Sequence, residues 1–118
     1  MTDAFVLYHN PRCSKSRAAL DLLQGRGIAP RIVRYLDDPP DAAALQTLLR
    51  QLGIAPRALL RTGGDDYRAL GLDDPAKDDA AIIAAMAAHP KLIERPILVH
   101  GDRAVIGRPT ERLLELLD

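Results

Sequence analysis

Two short apolar runs separated by a helical stretch restrict this chain more than any other feature. Phe5-Val6-Leu7-Tyr8 is built from strand-forming residues and stops at His9-Asn10-Pro11, because proline has no amide to continue a ladder. From Ser14 to Gly27, Ala19, Leu20, Leu22 and Leu23 cluster at helical spacing, and Gly25 and Gly27 act as stop signals. Ile32-Val33-Arg34-Tyr35-Leu36 then alternates until the turn cluster Asp37-Asp38-Pro39-Pro40, which predicts a second strand. Strand, helix and strand in that order make a right-handed crossover between parallel strands. The turn around residues 9–14 therefore falls at the carboxyl end of the first strand, where loops commonly carry chemistry.

The rest of the chain divides into a helical stretch and a second half-sheet. Leu45, Leu48, Leu49 and Leu52 share one stripe of a helix that begins after Asp41 and ends at Gly53. Pro56 to Pro75 is rich in Gly, Asp and Arg around a short apolar set, and a further helix is expected from about Asp78 to Ala88. Gly101-Asp102 between Ile97-Leu98-Val99-His100 and Arg103-Ala104-Val105-Ile106 marks a tight antiparallel hairpin. Pro109, Glu111 and the leucines at 113, 114, 116 and 117 predict a final helix. The expected architecture is α/β and thioredoxin-like, a four-stranded mixed sheet (βαβ then ββα) with a helical insert over about 41–90. At 118 residues the chain is expected to form a single domain.

Composition removes several classes of function. Lys plus Arg equals Asp plus Glu at 16 each, so the broad basic surface needed for nucleic acid is missing. No apolar run approaches the roughly 20 residues that span a bilayer, and Met1 to Val6 lacks the pattern of a signal peptide, so no membrane partner and a cytoplasmic location are expected. Three scattered histidines and one cysteine do not supply the short ligand spacings of a zinc site, so no metal is implied. His89 and His100, each beside a turn, read as structural or exposed.

The single cysteine cannot form an internal disulfide, so Cys13 is either an inert buried thiol or a reactive one. Its placement favours the second. Unpaired amides at a helix start and the cations Arg12, Lys15 and Arg17 would all stabilise a thiolate, whereas a space-filling thiol gains nothing from them. Ser14 is expected to cap the helix, and Ser16, three residues after the sulfur, to place its hydroxyl against it. His9 could tune the thiolate or simply bond to backbone. A cysteine-dependent phosphatase loop needs an arginine at position 19, and that position is Ala19, so an oxyanion must be held by arginines remote in sequence. Arg61, Arg95 and Arg108 stand out because each sits at an element end. In thioredoxin-like folds the proline before the third strand is typically cis and faces the cysteine, which would make Pro96 bring Arg95 to Cys13.

The segment His9-Asn10-Pro11-Arg12-Cys13-Ser14-Lys15-Ser16-Arg17 resembles the active site of the glutaredoxin-coupled arsenate reductases, whose pattern is His-Asn-Pro-x-Cys with Ser-Arg following. The likeness continues in order through Tyr35-Leu36, Pro39-Pro40, Arg57-Ala58-Leu59-Leu60-Arg61, Tyr67, Leu70-Gly71-Leu72, His89-Pro90, Glu94-Arg95-Pro96-Ile97 and Gly107-Arg108-Pro109. Ser14-Lys15 stands where better-known members carry Gly-Thr. The resemblance implies that Cys13 is the nucleophile and that Arg61, Arg95 and Arg108 bind the oxyanion, with His9, Asn10, Ser16, Arg17 and Pro96 in support. It implies no bound cofactor, with glutathione as co-substrate, glutaredoxin as protein partner, arsenate as substrate and a monomer as the working form. In such a reaction the thiolate attacks arsenate, glutathione adds to the arsenic, and glutaredoxin resolves the mixed disulfide with release of arsenite. A chain with one thiol needs that outside help.

Two other readings share the fold. A glutathione-dependent thiol reductase would use the same nucleophile without needing three arginines. A non-enzymatic regulator binding RNA polymerase would usually carry a Cys-x-x-Cys switch, and position 16 is Ser16.

Overall fold

The structure, a computed structural model, describes residues 4–117. Phe5-Val6-Leu7-Tyr8 forms β1 (Phe5–Tyr8), an inner strand of a four-stranded mixed sheet. It pairs parallel with β2 (Arg31–Val33), with Leu7 opposite Ile32, and antiparallel with β3 (Ile97–His100), with Leu7 opposite Leu98. β4 (Arg103–Ile106) pairs antiparallel with β3, which gives the order β2-β1-β3-β4. Gly101 turns the hairpin at φ 65°, a backbone conformation that side chains rarely adopt. His100 stacks on Phe5, its cross-strand partner, with ring centroids 3.9 Å apart.

β2 is shorter than its sequence suggests and starts one residue earlier. Asp37 and Asp38 both donate their amides to the Arg34 carbonyl, so a turn begins where the alternating pattern still continues. The neighbouring strand sets this limit. His9 donates its amide to the Val33 carbonyl at 2.9 Å, and beyond it Asn10-Pro11 offers no further ladder.

The chain divides into two compact units, residues 1–38 with 95–118, and residues 39–94. In the first, α1 (Ser14–Gly25) buries Ser16, Ala19 and Leu23 at positions three and four apart. Ala19 and Leu23 join Leu7, Leu98, Val105, Leu113 and Leu116 in one apolar core beneath the sheet. The expected final helix is a 3₁₀ segment, Thr110–Leu116. Three residues per turn eclipses positions three apart, and Leu113 and Leu116, the two side chains that enter the core, have that spacing.

The second unit contains α2 (Ala42–Leu52), α3 (Pro56–Leu59), α4 (Asp65–Ala69) and α5 (Asp79–Ala88), followed by a 3₁₀ turn at Pro90–Leu92. Asp41 and Asp78 cap α2 and α5 by accepting the amides of Ala44 and Ala81 at 2.8 and 2.9 Å. α5 packs on α2 and α3, and Leu45, Leu48, Leu49, Ile82, Ile83 and Met86 are buried. The Gly- and Asp-rich stretch after α4 is held by Arg57, whose guanidinium donates to the carbonyls of Leu72, Asp74 and Lys77 at 2.8, 2.7 and 2.8 Å. Among the described residues, no helix is long and apolar enough to cross a membrane.

Candidate active site

The loop between β1 and α1 is built to deliver one sulfur. Asn10 closes a turn by accepting the Cys13 amide on its carbonyl at 2.9 Å, while its side-chain oxygen accepts the Arg12 amide at 3.0 Å. Arg17, one turn into the helix, reaches back to the Pro11 carbonyl at 3.2 Å. Cys13 itself is the N-cap of α1, in extended backbone, and its own carbonyl receives the Arg17 amide at 3.0 Å. Ser14, the expected cap, is therefore the first helical residue, and no side chain caps this end. The amides left without a helical partner meet the sulfur instead.

Burial pushes the half-buried Cys13 thiol up, but other effects outweigh it and the thiol lies below its ordinary value. Hydrogen bonds from the backbone of Ser16 and of Lys15 come next in size, followed by the charge of Arg95 and a side-chain hydrogen bond from it. The positive side chain among these causes is Arg95, more than eighty residues away in sequence, rather than the neighbouring Arg12, Lys15 or Arg17.

Arg95 is buried, 8% exposed, and precedes a cis peptide bond to Pro96. Arg108 also precedes a cis bond, to Pro109. Its Nε donates to the Arg95 carbonyl at 2.6 Å, so the second arginine holds the backbone of the first. Gly107 completes the joint. Its amide donates to the Pro96 carbonyl at 2.8 Å, and a Cβ there would meet Pro96 Cγ and Leu113 Cδ2 at 3.0 Å each. Sequence reasoning passed over Gly107 as a site residue, although a glycine between a strand end and Arg108 is the available signal for close backbone approach.

Other expected residues have different places. Ser16 contributes its amide to the sulfur, and its buried hydroxyl has no hydrogen-bond partner among the described residues. His9 is buried, 6% exposed. Burial and the nearby Arg34 charge together hold its imidazole below the usual histidine value, against a backbone hydrogen bond with Ser16. It is therefore neutral near pH 7 and lends Cys13 no positive charge. Arg61 belongs to the other unit, where its amide bonds to the Leu92 carbonyl at 2.7 Å and its exposed side chain lines a cavity with Gly64, Asp65, Asp66, Lys91 and Leu92. Among the described residues no three His, Cys, Asp or Glu side chains gather as a metal site.

A thioredoxin-like sheet with its one cysteine at the first strand-to-helix turn defines the class of protein. The ArsC family model matches residues 8–116. An arsenate reductase of Neisseria meningitidis (serogroup A, strain Z2491) is 49% identical over 112 residues, covering 94% of this chain and 96% of the relative. The YfgD protein of Escherichia coli K12 is 48% identical over 118 residues and 99% of each chain. The structure of an arsenate reductase from Vibrio cholerae superposes with a TM-score of 0.95 at 47% identity, over 98% of this chain and 99% of that one. The chain belongs to the ArsC family.

Proposed function

We propose that this protein reduces arsenate to arsenite, with Cys13 as nucleophile and with glutathione and glutaredoxin supplying the electrons. The observation that supports it most is the Arg95 guanidinium hydrogen-bonded to a Cys13 sulfur already bonded by two backbone amides. That arrangement favours the thiolate, the nucleophilic form. It also puts beside the sulfur a planar donor suited to a tetrahedral oxyanion. Arg108, anchored on the Arg95 backbone, is the further oxyanion-binding residue of this unit in this reading.

Cys13 sulfur bonds to arsenic as one arsenate oxygen leaves as water, and the glutathione thiol bonds to the same arsenic as a second oxygen leaves as water. Glutaredoxin thiolate then attacks the glutathione sulfur. The sulfur–arsenic bond breaks, its electron pair stays on arsenic, and arsenic passes from the pentavalent to the trivalent state. Water releases arsenite from Cys13. The net change is one arsenate and two thiols to one arsenite, one mixed disulfide and one water. A reaction that consumes these thiols belongs in the reducing cytoplasm.

Steady-state assay with arsenate, glutathione and glutaredoxin tests this reading. An arsenate-dependent rate that Cys13→Ser abolishes is the expected result, and a wild-type protein with no such rate overturns it.

A further inference from the structure

The loop that presents Cys13 also lines a cavity. His9, Asn10, Pro11 and Arg12 line this cavity of about 290 Å³ together with Arg34, Leu36 and Asp37. All of these residues lie in the unit that contains Cys13. We propose that this cavity is the subsite for the γ-glutamyl end of glutathione, a free α-amino acid head with a carboxylate and an ammonium. The proposal rests on the arsenate-reductase reading for the identity of the thiol and goes beyond it in assigning where that thiol is held.

The lining has the charges such a head needs. Arg12 and Arg34 offer two guanidinium groups to a carboxylate, and Asp37 offers a carboxylate to an ammonium. Among the described residues neither guanidinium is held in a salt bridge. With two guanidinium groups against one carboxylate, the lining carries a net positive charge that suits the carboxylate of an incoming head. His9, one of the lining residues, is buried, and its Nδ1 has no hydrogen-bond partner among the described residues.

Size and position fit one end of a tripeptide. The volume lies at the low end of ligand clefts, which run from roughly 300 to 1,000 Å³, so it takes an amino acid head and not the whole molecule. The cavity wall is the turn that Asn10 closes onto the Cys13 amide. A head anchored there leaves the cysteinyl thiol a short tether from the arsenic on Cys13, which raises its effective concentration at the reacting centre.

Titration with S-methylglutathione, which cannot react, tests the subsite without turnover. Binding is followed by calorimetry and by the His9 ring resonances. The wild type should bind it, with the His9 signals moving. Arg34→Ala and Asp37→Asn should each weaken binding by tenfold or more, whereas S-methyl-cysteinylglycine, which lacks the γ-glutamyl head, should bind all three proteins equally. Both substituted side chains are exposed, so folding is not at issue. In turnover, Arg34→Ala should raise the glutathione KM and leave the arsenate KM in place. Unchanged S-methylglutathione affinity in both variants overturns the subsite. If that occurs while the wild type still reduces arsenate, the catalytic reading stands alone. If ligand binding depends on Arg34 and Asp37 but no arsenate-dependent rate exists, the subsite stands and the catalytic reading falls.

Discussion

Arg108 Nε donates a 2.6 Å hydrogen bond to the backbone carbonyl of Arg95, the residue whose side chain bonds to the Cys13 sulfur. One arginine thus acts on the sulfur directly and the other fixes the peptide from which it projects. Replacing Arg95 by Ala removes both a charge and a donor, so the Cys13 pKa rises and the thiolate fraction near neutrality falls. A hydrogen bond to a charged group is worth about 1.5–3 kcal/mol, which corresponds to roughly 10- to 100-fold in kcat/KM. Arg108→Ala leaves the Arg95 charge in place and should raise the thiol pKa by less. Thiolate ultraviolet absorbance across a pH series measures both, and equal titration of wild type and Arg95→Ala would contradict the assignment.

The same sulfur should couple folding to pH in a defined direction. A thiol held below its ordinary value of 9.0 releases its proton more readily folded than unfolded. Its contribution to stability is then complete above that ordinary value and is lost as pH falls through the folded pKa. Urea unfolding of wild type and Cys13→Ser should show a stability difference that grows in favour of the wild type as pH rises across this window. Turnover should climb with pH through the folded thiol pKa and level off before an ordinary cysteine would ionise. A stability difference that is flat with pH would mean that the thiol is not perturbed.

Most of what sets the architecture was readable because it is periodic or punctuated. The β1 run ended by Pro11, the Gly101-Asp102 turn and the helix starts at Asp41 and Asp78 are local signals, and each lies within a residue of where the sequence places it. The boundary of β2 was not readable. It depends on where the neighbouring strand stops offering partners, through the His9 amide on Val33, a relation between segments that no single window contains. The 3₁₀ geometry of Thr110–Leu116 follows likewise from which leucines must enter the core. At the site, the sequence points to a cation-supported thiolate and offers two sources of charge, the adjacent Arg12, Lys15 and Arg17 and the remote Arg95 carried by Pro96. The structure assigns that part to Arg95, with Arg17 bonded to the Pro11 carbonyl. Proximity along the chain is a poor guide where a helix start sends successive side chains in different directions.

Gly107 carries no functional group, yet its substitution should be felt at the arginines. The added Cβ of Gly107→Ala meets Pro96 Cγ and Leu113 Cδ2 at 3.0 Å, closer than side chains normally approach. Something must shift, and one neighbour is the proline that follows Arg95. Overpacking of this kind costs about 1–3 kcal/mol. Urea unfolding should show that loss, and the Cys13 thiolate titration should move upward as Arg95 is displaced. Loss of stability with an unaltered thiol pKa would show that Leu113 gives way instead.

Arg57 offers a test in the other unit that separates its charge from its shape. Its guanidinium spans three backbone carbonyls, those of Leu72, Asp74 and Lys77, in a stretch with little regular structure of its own. Removing it leaves acceptors at partly buried positions without a donor, at about 2–3 kcal/mol allowing for those that water can reach. Arg57→Lys keeps the charge, but an ammonium is a compact point donor on a flexible stem and cannot match a planar fork aimed at three oxygens. Both variants should therefore lose stability in urea unfolding, with Lys recovering less than half of the loss seen with Ala. Amide exchange should speed up at residues 72–77 in both. Full rescue by Lys would mean that charge alone holds the segment, and the three directed hydrogen bonds would then not be what orders it.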